Sequence, residues 1–142
     1  MTTEIINQQK IKRINQKLLS GYLRKISKYL GISSKKLSLL LCDNRLIKML
    51  NKKYLKKNAS TDVISFPLSD ELEPKYLGEV VVSVEKAVQV ARKLKIKWQT
   101  ELLLYIIHGI LHLKGYEDKT KSERQIMKVK EEEILAKLKL KF

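Results

Sequence analysis

Apolar residues recur at three- and four-residue intervals from Gln9 to Leu30, at Ile11, Ile14, Leu18, Leu19, Tyr22, Leu23, Ile26 and Leu30, and Gly31 ends the run. That spacing predicts an amphipathic helix with a basic outer face, closed by a residue that tolerates a left-handed backbone. Leu37 to Cys42 is short and mostly apolar, the pattern of a buried strand. Asp43 suits an N-cap, and the helix it opens is expected to turn Leu46, Met49, Leu50 and Tyr54 inward. Two β-rich runs, Val63 to Phe66 and Glu79 to Val84, flank a loop holding both prolines, Pro67 and Pro74, and read as neighbouring strands. Glu85 to Lys95 is helical by pattern, and Lys119 to Leu140 closes the chain as an amphipathic helix. Between them, Gln99 to Leu113 is so uniformly apolar that it belongs at the centre of the fold.

The order of helix, strand, helix, two strands and three helices predicts an α+β (α/β-like) fold, a small mixed sheet packed with about five helices. With no repeat and no linker-like tract, residues 1–142 read as one domain. A chain of this length buries about two-thirds of its unfolded surface without disulfides. Leu102 to Leu113 is too short to span a membrane, and the first residues lack the basic and apolar regions of a secretory signal. The single cysteine, Cys42, follows the apolar Leu39 to Leu41 and reads as a core thiol in a reducing compartment. A cytoplasmic protein is expected.

Charge narrows the choice of partners. The chain carries 30 Lys and Arg against 15 Asp and Glu, a formal net charge of +15, and only five of the basic residues are arginine. Such an excess fits a nucleic-acid partner, because neutralising phosphates supplies most non-specific affinity; a lysine-biased proteome accounts for it equally well.

Both histidines fall in one segment, His108-Gly109-Ile110-Leu111-His112-Leu113-Lys114-Gly115-Tyr116-Glu117-Asp118. Four apart on a helix, their rings project from one face about a turn apart, the geometry by which two imidazoles share one metal ion. Gly115 can end that helix and fold the chain back, so that Asp118 or Glu117 offers a carboxylate to the same ion at the helix end. Two imidazoles and one carboxylate leave a fourth position open, as in catalytic zinc sites. A core role for the histidines is the plainer alternative, weakened by their being the only two in the chain. Zinc proteases of similar spacing need a glutamate after the first histidine as general base; here that position is Gly109, which takes no proton.

The segment His108-Gly-x-Leu-His112-Leu-x-Gly-Tyr resembles the motif of the YbeY family, bacterial metal-dependent endoribonucleases of ribosomal RNA maturation. Asn51-Lys-Lys-Tyr54 followed by Ser60-Thr61-Asp62-Val63-Ile64-Ser65-Phe66-Pro67 is similar to the family's second signature, and Leu77-Gly78-Glu79-Val80-Val81-Val82-Ser83 to its third. In that order and spacing the likeness runs from about Leu37 to the end of the chain. It implies one Zn2+ per chain, held by His108, His112 and Asp118, and single-stranded RNA as substrate, from ribosomal RNA or ribosomal particles. It also implies a metal cleft beside Lys52, Lys53, Lys56 and Lys57, which would then track phosphates rather than form only a solvated helix end. Asp62 reads as a turn or capping residue.

The chain departs from the family twice. The usual third histidine is Asp118, an anionic ligand that lowers the charge of the site, and the arginine that usually follows the tyrosine is Leu55. These departures define a second reading, a non-catalytic RNA-binding ribosome-assembly factor of the same fold. A metallohydrolase acting on a peptide or small molecule is a third, disfavoured by Gly109 and by the basic charge.

Overall fold

A computed structural model describes residues 1–68 and 72–142. Its elements run β1 (Thr2–Asn7), α1 (Gln16–Leu30), β2 (Lys36–Cys42), α2 (Asn44–Leu55), β3 (Val63–Pro67), β4 (Tyr76–Ser83), α3 (Val84–Leu94), α4 (Trp98–Lys114) and α5 (Lys121–Leu138). Residues 69–71, inside the loop predicted between the prolines, lie outside the described residues.

The strands form one mixed sheet in the order β1-β2-β4-β3, with β1 and β4 parallel to β2 and β3 antiparallel to β4. Alternation sorts the side chains by face. Leu37, Leu39, Leu41, Val80 and Val82 enter the larger core with the buried faces of α1, α3, α4 and α5. Cys42, Ile64 and Val81 point the other way and are covered by Ile47 of α2, with Leu46 and Leu50 beside it. Three layers result: α2, the sheet, and the remaining helices.

As expected from its composition, α4 is the central element, buried along most of its length. It sits unusually near the sheet at Gly109, where an added Cβ would lie 2.6 Å from Cγ1 of Val80 and 3.1 Å from Oγ of Ser65. Only glycine allows that approach, so the position where a zinc protease carries its glutamate is closed by packing. The helix ends at Gly115, whose φ of 113° is left-handed; its amide donates to the carbonyl of His112, and the Tyr116 amide donates to that of Leu111. This closure turns the chain back over the histidines.

Four expectations are corrected. The first helix begins at Gln16, because the Asn15 side chain caps it by accepting from the Leu18 amide. Ahead of it, Oε1 of Gln9 accepts from the amides of Ile11 and Lys12 and holds a turn that competes with helix. The strand β1 was not foreseen. In α2, Met49 is 61% and Tyr54 56% exposed, while Ile47 and Asn51 face inward. Finally, β4 stops at Ser83, whose hydroxyl caps α3 by accepting from the Lys86 amide.

Candidate metal centre

The last two turns of α4 and the loop beyond Gly115 bring three donor atoms together. Nε2 of His108 lies 3.1 Å from Nε2 of His112, and Oδ2 of Asp118 lies 3.4 Å and 3.2 Å from them. Ligands about 2.0–2.1 Å from a tetrahedral ion stand about 3.3 Å apart, so the three atoms match one face of a tetrahedron. They are the one His, Cys, Asp and Glu group among the described residues so arranged that it could hold a metal ion. The rings meet edge to face, with centroids 4.6 Å apart. Each histidine side chain is 26% and Asp118 40% exposed, so solvent reaches the cluster. Glu117, the other acid weighed from the sequence, is exposed and outside this group.

A carboxylate that the motif did not reveal completes the surroundings. Oε1 of Glu131, on α5, lies 2.6 Å from Nδ1 of His108. That hydrogen bond is the main cause holding the His108 ring above the ordinary histidine pKa, against the opposite effect of burial, with Asp118 and Asp62 adding to it. The signal was present as a three-acid run, Glu131-Glu132-Glu133, but nothing in its pattern tells which acid turns inward.

Polar residues continue up the same stripe of α4, one turn apart: Glu101, Tyr105, His108 and His112. Glu101, Tyr105, His108, Glu131 and Asp62 border a cleft of about 190 Å³. Burial lifts the carboxyl of Glu101 above its usual value, opposed by a hydrogen bond with Tyr105 and reinforced by Asp62 and Glu131. Asp62 accepts from its neighbour's amide at Val63 and from the Thr61 hydroxyl, the turn-forming contacts expected of it. Arg124 reaches the loop from α5, donating to the carbonyl oxygens of Lys119 at 3.0 Å and Asp118 at 3.4 Å.

Lys52, Lys53, Lys56 and Lys57 are all exposed at the end of α2, which packs on the sheet face opposite α4. Lys56 takes the left-handed position that ends the helix, and the chain leaving it reaches Asp62 at the edge of the His108 cleft. Leu55, where the family's arginine stands, is 45% exposed.

Comparison with known proteins identifies the family of the chain. The family model of Endoribonuclease YbeY matches residues 2–139. The chain belongs to the YbeY endoribonuclease family. Endoribonuclease YbeY of Carboxydothermus hydrogenoformans is 37% identical over 138 residues, covering 96% of each chain. Its counterpart in Persephonella marina is 35% identical over 134 residues, covering 91% of this chain and 87% of the relative. A solution structure of a Thermotoga maritima protein superposes with a TM-score of 0.65 at 30% identity, covering 96% of this chain and 91% of that one. The YbeY match thus includes β1 and α1, which the sequence motifs alone did not reach.

Proposed function

We propose that the protein is a metal-dependent endoribonuclease of ribosomal RNA maturation, cutting single-stranded RNA with one zinc ion held by His108, His112 and Asp118. The observation that carries this reading is the spacing of the three donor atoms, 3.1–3.4 Å apart, in a chain of an endoribonuclease family. Zinc in such a set supplies Lewis-acid polarisation of a phosphoryl oxygen and activation of water. The chain's own residues hold the ligands in place: α4 fixes the two imidazoles, the Gly115 closure brings Asp118 over them, and Arg124 secures the loop. Asp118 gives the site a negative charge that a third histidine would not. The exposed lysines at the end of α2 supply a cationic path for a phosphate backbone approaching the cleft. With aromatic content at 6%, base stacking has few platforms, so selectivity falls to RNA shape or to a ribosomal partner. Residues 1–142 act as a single domain in this reading, and the buried lone thiol of Cys42 suits the cytoplasm.

The test is elemental analysis of purified protein together with cleavage of single-stranded RNA, with and without chelator. The expected result is about one zinc per chain, cleavage lost on chelation and restored by zinc, and loss of both on His108→Ala. Protein without transition metal overturns the reading; RNA binding without cleavage under any metal condition favours the assembly-factor alternative.

A further inference from the structure

The donor atoms all come from residues 108–118, yet the ring of His108 is gripped by a group from a different helix, 23 residues further on. We propose that Glu131 is a positioning residue of the metal centre: by accepting a hydrogen bond from Nδ1 of His108 it fixes which ring nitrogen carries the hydrogen and so aims the Nε2 lone pair at the ion. The proposal rests on the reading of His108, His112 and Asp118 as metal ligands.

Three observations carry it. The first is the contact itself: an ionised carboxylate only accepts, so a neutral imidazole whose Nδ1 lies 2.6 Å from it keeps its one hydrogen on Nδ1 and leaves Nε2 bare. Nε2 is the atom that faces His112 and Asp118. The second is the place of Glu131 on α5. Met127, Ile134 and Leu138, at helical spacing around it, are 2%, 1% and 1% exposed, so Glu131 stands on the stripe that α5 turns to the core. Its side chain is 12% exposed, and a carboxylate at such a position is costly unless a partner compensates it. The third is the division of labour among neighbouring acids. Glu133 lies outside, accepting from the Tyr29 hydroxyl at 3.0 Å and meeting Lys130 at 3.6 Å, while Glu132 is exposed. Only Glu131 of the three meets a ligand-bearing ring.

A packing contact between helices would leave the ring free to exchange its hydrogen, whereas a positioning contact fixes the tautomer and raises the donor strength of Nε2. With Nε2 of His108 bare, the hydrogen between the facing Nε2 atoms in metal-free protein belongs to His112. The two rings should therefore show opposite tautomers.

The experiment uses the full chain labelled with nitrogen-15, whose two histidines give an uncrowded imidazole spectrum. In chelator-treated wild type at about pH 8.5, above the ordinary histidine range, His108 is expected as the Nδ1–H tautomer and His112 as the Nε2–H tautomer. Glu131→Ala should lose the fixed tautomer of His108. Glu131→Gln, which keeps an accepting oxygen, should retain it. Zinc affinity, read by competition with a chromophoric chelator, should fall about 10–100-fold in Glu131→Ala, and less in Glu131→Gln. Glu133→Ala, altered on the same helix away from the rings, should change neither readout. An unchanged His108 tautomer and unchanged zinc affinity in Glu131→Ala overturn the proposal. If Glu131→Ala does not fold, a Glu131→Gln chain with an averaged tautomer and no loss of affinity overturns it equally. Wild type that takes up no zinc sinks the metal reading instead, and the tautomer arm then decides the Glu131 to His108 bond separately.

Discussion

The Ser65 hydroxyl donates to the carbonyl oxygen of Gly109 across 2.9 Å, tying the edge strand β3 to the helix residue that directly follows the first histidine. The candidate metal centre is therefore referenced to the sheet beside His108, and to α5 through Glu131 on the far side of the same ring. These two contacts fix the ring of His108 from both sides, while the loop after Gly115 carries Asp118.

Gly109→Ala tests the sheet contact. Its methyl would meet Val80 Cγ1 at 2.6 Å, so either α4 or β4 must shift. Urea denaturation should show a loss of about 1–3 kcal/mol, the ordinary cost of overpacking a core, accompanied by weaker zinc binding as His108 moves.

The third ligand is tested by two adjacent acids. Asp118→Ala should lower zinc affinity by orders of magnitude, whereas Glu117→Ala, at an exposed position outside the donor group, should leave it unchanged in the same chelator competition. Asp118→His should bind zinc far better than Asp118→Ala and make the ion a stronger Lewis acid, since it replaces an anionic ligand by a neutral one.

RNA affinity should fall linearly with the logarithm of salt concentration. If the exposed lysines at positions 52, 53, 56 and 57 contact phosphates, each replacement should reduce the slope by about one unit. An identical slope with all four replaced by glutamine would show that they form only a solvated helix end.

Alkaline pH should act through Cys42. Its side chain is fully buried, and burial, helped by the neighbouring Asp43, pushes the thiol from 9.0 up to about 12. Because the folded value is the raised one, the unfolded chain ionises first, and stability is lost as pH rises from 9 toward 12. One unit above the unfolded value this amounts to about 1.4 kcal/mol. Comparing wild type with Cys42→Ala by denaturation at pH 8 and pH 10 isolates it from lysine and tyrosine ionisation: the wild type should lose more stability over that interval.

The parts of the fold legible in the sequence are those where one physical signal dominates. Uniform apolarity placed α4 at the centre, and the His108, His112 and Gly115 spacing placed two candidate ligands and the turn that brings Asp118 beside them. Asn51 is why the inward face of α2 departs from its hydropathy pattern: a polar residue is buried there because its amide donates to the Ala59 carbonyl at 2.9 Å, and no hydropathy pattern predicts a buried asparagine. The inward stripe consequently centres on Ile47 and Asn51, and Met49 turns out to solvent. Strand β1 was hidden for a different reason. As an edge strand of alternating exposure it carries a single core contact of note, Ile5, and its identity lies in backbone pairing with β2 that side chains do not announce. Glu131 was illegible because its meaning depends on α5 packing beside α4, a relation between segments 23 residues apart.

His108 and His112 are four residues apart, and Asp118 is six beyond, so the candidate donor set is local in the chain. Closing loops that short costs little chain entropy, and an unfolded chain can gather the same three side chains around an ion. Metal that also binds the unfolded chain stabilises the native state by less than its native affinity would give. The share of that affinity belonging to the fold is what α4 and Glu131 add by holding the imidazoles ready. Stripping the ion should leave the sheet and its helices standing on Leu39, Val80, Ile107 and the rest of the apolar core.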